Sequence, residues 1–76
     1  MVPESAVVKI LSPTAASIFQ ITHNVGDQVF ESKACMILES MKMLIDIIAP
    51  KSGVVTKIFV LEGEVVAEKA PLMEIE

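Results

Sequence analysis

The strongest constraint on this chain is that it repeats itself. Residues 12–39 superimpose on 49–76 at a constant offset of 37, without a gap. Seven positions are identical, Pro13/Pro50, Ile21/Ile58, Gly26/Gly63, Val29/Val66, Glu31/Glu68, Met36/Met73 and Glu39/Glu76. Unrelated pairing at this composition gives roughly two. Asp27/Glu64, Ile18/Val55 and Leu38/Ile75 add conservative matches. Units this small cannot bury an apolar face separately, so the two must share one core with approximate twofold symmetry.

Each unit reads as a Pro-opened strand, a Gly-centred turn, a short strand and a final strand. Segments 6–11, 16–21, 34–39, 53–60 and 72–76 are short and rich in β-branched residues, as strands are. Gly26 and Gly63 sit in polar or acidic stretches where a residue free to take positive φ is expected. The expectation is all-β, a compact sandwich or flattened barrel.

Residues 40–48 join the units and are ambiguous. Ile37, Met41, Leu44 and Ile48 fall at helical spacing, and on pattern alone a helix competes evenly with a hairpin. The stretch runs without Gly or Pro from one strand directly to Pro50, leaving little room for a helix and its caps. A hairpin with its tip near Met41-Lys42 is therefore preferred. Met-Lys is a poor sequence for a tight hairpin, which selects Asn-Gly or Asp-Gly, and such a local conflict marks a place where function constrains the residues.

Composition removes several classes of function. Three Phe, no Trp or Tyr, six Lys without an Arg and a net charge of −4 disfavour nucleic-acid binding. With Cys35 and His23 as the only residues of their kinds, neither an intrachain disulfide nor a Cys/His metal cluster can form. No apolar run approaches the ~20 residues of a membrane-spanning helix, and residues 1–5 lack a basic segment ahead of an apolar one. The expectation is a soluble protein of a reducing compartment, cytoplasmic or, from a eukaryotic source, in the mitochondrial matrix. Seventy-six residues leave no room for a deep catalytic cleft. Cys35 and the paired Met36 and Met73 read as core, and His23 as a loop residue.

The run Glu39-Ser40-Met41-Lys42-Met43, set between two similar β-units, resembles the attachment motif of the biotinyl domains of biotin-dependent carboxylases and decarboxylases. The flanks match as well: Pro13, Gly26-Asp27-Gln28-Val29, Ala49-Pro50, Gly53, Gly63-Glu64-Val65-Val66 and Pro71-Leu72. Family members often have Ala where this chain has Ser40, Gly at Ala16, Ser32 and Lys69, Pro at Ala34, and polar residues at Leu44-Ile45. The resemblance implies two four-stranded antiparallel sheets with pseudo-twofold symmetry, a barrel-sandwich hybrid. It places the attachment lysine at one end and the termini at the other, and the short 21–39 segment implies the thumbless form. Residues 1–6 are then a tail or linker remnant and 7–76 the biotinyl domain.

The resemblance further implies that biotin is carried covalently on Lys42, with Met41, Met43, Ser40 and Glu39 as context read by a biotin protein ligase. The chain would be a non-catalytic carrier, monomeric in isolation, serving a biotin carboxylase and a carboxyltransferase or decarboxylase. Acetyl-CoA, propionyl-CoA, methylcrotonyl-CoA and pyruvate systems all use such domains. Elementary chemistry agrees that the lysine needs outside help. An ordinary lysine amine, with a pKa near ~10.4, is unprotonated in only about one molecule in a few thousand at neutral pH, and a self-activating one needs desolvation or a cationic neighbour. The rival readings are a lipoyl carrier, whose usual Asp-Lys-Ala pattern is absent here, an unmodified adaptor module, and a Schiff-base enzyme.

Overall fold

The computed structural model describes residues 7–76, so the expected tail at 1–6 lies outside the described residues. Eight strands follow one another: β1 (Val8–Leu11), β2 (Ala16–Gln20), β3 (Gln28–Val29), β4 (Ala34–Ser40), β5 (Met43–Ile48), β6 (Gly53–Ile58), β7 (Val65–Val66) and β8 (Pro71–Ile75). They form two four-stranded sheets, β1-β8-β6-β3 and β5-β4-β2-β7, in which every pairing is antiparallel. The 40–48 segment is a hairpin, and the residues at helical spacing form no buried face: Met41, Leu44 and Ile48 are exposed and Ile37 is half-buried, while Leu38 and Ile47 face the core.

The offset of 37 is built into the backbone. It carries β2 onto β6 and β3 onto β7, and it brings Val8–Leu11 onto the last four residues of β5. Hydrogen bonds obey it too: Gly26 N–H donates to Val55 C=O and Gly63 N–H to Ile18 C=O, each at 2.8 Å. Ser12 N–H to Ala70 C=O (2.8 Å) is mirrored by Ala49 N–H to Lys33 C=O (2.9 Å). Each sheet takes strands from both halves, so neither half can complete a sheet alone.

The core lies between the sheets. Ile18, Val29, Met36 and Leu38 from one half meet Val55, Val66, Met73 and Ile75 from the other, all buried. Irregular pairing at Ala34/Met36 in β4, mirrored where Leu11 pairs with Pro71 in β8, lets two successive residues point inward. Cys35 and Met36 are fully buried, as are Leu72 and Met73. The Cys35 thiol donates to Ile47 C=O at 3.3 Å, and burial pushes its pKa above the ordinary value near 9.0. His23 is half-buried in a loop, its Nδ1 sharing a 2.9 Å hydrogen bond with Thr22 Oγ1.

Strand ends differ from expectation in small ways. The 16–21 segment stops at Gln20, because Ile21 N–H leaves the ladder for the Glu62 carboxylate at 2.9 Å. The 53–60 segment stops at Ile58, and the last strand starts one residue early, at Pro71. Gly26 and Gly63 have φ of +96° and +89°. Ser32 and Lys69, repeat mates of each other, have φ of +71° and +70°, a conformation glycine takes without steric cost. The link between Ile21 and β3 is short, and no additional protruding element lies between β2 and β4 among the described residues.

Register fixes where the β4–β5 hairpin points. Val8 pairs with Ile75 at one end of the first sheet. The chain leaves β1 at the far end of that sheet and, after four intervening residues, enters β2, where Ser17 pairs with Glu39 next to the hairpin tip. The tip therefore projects from the end opposite the Val8/Ile75 pair, along a body whose longest extent is 41 Å.

Candidate functional site

Ser40 and Met43 are paired, which leaves only Met41 and Lys42 to turn the chain. Both have positive φ, +53° and +66°, the signature of the two-residue turn whose twist suits a hairpin. The ladder below is regular from Ser40/Met43 through Glu39/Leu44 and Leu38/Ile45 to Ile37/Asp46. Leu38 and Ile47 anchor it in the core, with Ile45 packed against them. A rigid, core-anchored arm thus ends in two residues of conformation that L-amino acids adopt at a cost of about 1–2 kcal/mol each.

The tip is in solvent. Met41 is 92% and Met43 69% exposed, and Lys42 between them is exposed as well. No hydrogen bond or ion pair among the described residues restrains the Lys42 side chain. Glu39 and Ser40 are half-buried, Glu39 on the ladder between Leu44 and Ser17, with the Ser17 hydroxyl 3.4 Å from Glu39 C=O. The structure thus brings all five sequence-selected residues into one hairpin end, with Lys42 at its apex. Methionines at such exposure hold nothing together inside the domain and offer flexible apolar surface to something else.

Chemically this is a presented amine. Among the described residues no cluster of three His, Cys, Asp or Glu could hold a metal ion. A groove of about 480 Å³ between the two Gly-turn regions is lined by Ile21, Ile58, Val60 and Glu62, but no residue of the hairpin end borders it. The arrangement fits a biotin group in the one respect its attachment requires: a primary amine free of intramolecular partners, on a fixed base, that another protein can surround. Sequence reasoning noted Leu44 as an apolar departure from the family pattern but missed the exposed side chains near it, Phe19 and Val65, which a comparison of the two halves position by position would have found.

Comparison with known proteins agrees over nearly the whole chain. The biotin/lipoyl family model, described as biotin-requiring enzyme, matches residues 8–75. A biotin carboxyl carrier protein of Streptococcus mutans is 40% identical over 62 residues, which cover 82% of this chain and 48% of that protein. A biotin/lipoyl attachment protein of Bacillus subtilis is 38% identical over 61 residues, 80% of this chain and 84% of that one. Among solved structures, the urea carboxylase of Kluyveromyces lactis matches with a TM-score of 0.88 at 26% identity, covering all of this chain and 7% of that enzyme. The chain thus spans about half of the streptococcal carrier and a small part of the carboxylase. A match from residue 8 to residue 75, with the Met-Lys-Met sequence at an exposed hairpin apex, makes this chain a member of the biotin/lipoyl family and a biotinyl domain.

Proposed function

We propose that Lys42 is the residue on which this domain carries biotin, and that the loaded domain serves as the carboxyl carrier of a biotin-dependent carboxylase. The observation that carries this reading is the unrestrained Lys42 amine at the apex of the hairpin, between two exposed methionines. A biotin protein ligase presenting biotinyl-adenylate supplies the missing activation: the deprotonated Nζ attacks the acyl carbon, the C–N bond forms, and AMP leaves with the bonding electrons. The amine becomes a neutral amide and the formal charge of −4 becomes −5. Bound there, biotin supplies a ureido nitrogen that accepts a carboxyl group in one active site and yields it in another.

The domain's own contribution is mechanical. The core-anchored hairpin fixes the base of the arm, the lysine stem gives it reach, and tethering raises the local concentration of the carried group at each active site. Once biotin is attached, no residue of the domain has to take part in further bond making. Biotin carboxylase and carboxyltransferase parts are the partners this reading requires, and the domain works as a monomer between them.

The test is incubation with a purified biotin protein ligase, ATP and biotin, followed by intact mass and avidin retention. A stoichiometric adduct in the native chain and none in Lys42→Arg is expected. The loaded form should then take up label from radioactive bicarbonate when a purified biotin carboxylase and ATP are added. Lipoate incorporation by a lipoate ligase in place of biotin would overturn the reading.

A further inference from the structure

The repeat supplies an internal control for the surface, because each outward position on one sheet has a mate on the other in matching backbone surroundings. On β1-β8-β6, Lys9, Glu74 and Lys57 lie side by side across adjacent strands. The Thr56 hydroxyl, next to them, donates to the Glu74 carboxylate at 3.1 Å. This is an ordinary solvated face of alternating charge. At the mate positions on β5-β4-β2 stand Asp46, Ile37 and Gln20, with Phe19 in the place of Thr56. Val65 on β7 replaces Gln28 on β3.

The result is a broader apolar strip on this sheet than on the other, where Leu11 and Val54 are exposed, at 46% and 43%. Phe19, Leu44 and Val65 are 51%, 55% and 77% exposed, and Ile37 is half-buried. The strip starts at the tip, since Leu44, Glu39, Ser17 and Val65 form a single cross-strand row just below the turn. Its charge is of one sign. No strand of this sheet contains a lysine, while Glu39, Asp46 and, at the entry to β7, Glu64 are acidic.

We propose that the outer face of the β5-β4-β2-β7 sheet is the docking surface for the biotin protein ligase, which meets it with an apolar patch bordered by cationic side chains. This rests on Lys42 being the ligase's substrate. The reacting Nζ hangs from the turn by only four methylenes, so the enzyme that acylates it has to close over the hairpin and the row beside it. An active site working at the far end of a biotin arm stands farther off. A second copy of this chain is a poor occupant, because apposing two such faces brings Glu39 and Asp46 of one toward those of the other.

Steady-state biotinylation by a purified ligase tests this, with each substitution taken from the mate position. Phe19→Thr combined with Ile37→Glu rebuilds on this sheet the Thr56–Glu74 pair, and Val65→Gln alters a side chain that is mostly in solvent. Each should raise KM for the carrier about tenfold or more with little change in kcat, while Lys57→Gln on the other sheet leaves KM unchanged. Asp46→Lys should raise KM and flatten its dependence on salt. Thermal melts of each variant identify any that is misfolded, and Val65→Gln, at the most exposed position, is the variant that decides. If the native chain is biotinylated and the folded variants keep KM within about twofold, the docking surface is refuted alone; if the native chain takes no biotin, the attachment reading falls and the docking surface with it.

Discussion

Replacing Met41-Lys42 by Asn-Gly should make the unloaded domain more stable while removing the proposed attachment lysine. Both positions have positive φ, +53° and +66°, at a cost of about 1–2 kcal/mol for an L-residue with an ordinary side chain. Met41 is 92% exposed and Lys42 has no partner, so substitution gives up almost no packing and no polar contact. Asn and Gly populate this region readily, as hairpin statistics reflect. Against the gain stands the greater freedom of Gly in the unfolded chain, about 0.4–1 kcal/mol. The net stabilisation is about 2 kcal/mol, which for a domain of this size raises Tm by about 8–16 °C.

Met41→Asn alone should give about half of that and keep the lysine. The assay is thermal and urea unfolding of unmodified protein, with the urea slope checked for constancy so that the change is one of stability. Unchanged or lower stability in the Asn-Gly variant would refute the idea that the tip holds strain for the sake of function.

The repeat yields further expectations. Ser32→Gly and Lys69→Gly, at φ of +71° and +70°, should each stabilise by about 1 kcal/mol in urea melts, and Ser32→Ala should not. A Cβ at Gly53 would be driven into the Glu76 carbonyl oxygen and to 2.8 Å from Ile75 Cγ2; Gly53→Ala should cost about 2–3 kcal/mol, whereas Ala16→Gly at the mate position costs about 1, and equal costs would contradict the close approach. Burial raises the Cys35 pKa, so the native state holds this proton more tightly than the unfolded chain. Its contribution is complete below the unfolded value near 9.0 and is lost as pH rises through the higher folded one. Stability measured across that interval should fall with pH in the native sequence more steeply than in Cys35→Ala.

Much of this was legible beforehand because symmetry leaves few alternatives. Pro13/Pro50, Gly26/Gly63 and Met36/Met73 turned out to be true mates in the structure. The repeat extends ahead of residues 12–39 and 49–76: Ile10 and Ile47 are also identical, both buried and 37 apart. The hairpin at 40–48 was harder, since Ile37, Met41, Leu44 and Ile48 fall at helical spacing although none of the four is buried in the structure. Neither Ser32 nor Lys69 advertises a left-handed conformation by its type; only the family's Gly at those positions hinted at unusual loop geometry. The apolar strip was invisible for another reason: Phe19, Ile37 and Val65 look like ordinary strand residues until pairing shows that they share an outer face.

The most direct measurement is a peptide map by tandem mass spectrometry of the chain after exposure to biotin protein ligase, ATP and biotin. A single biotinylated peptide is expected, with the modification on Lys42 and the other five lysines bare. Biotin on Lys9, Lys33, Lys51, Lys57 or Lys69, or an unmodified tip after the same ligase has loaded a known acceptor to completion, would contradict it.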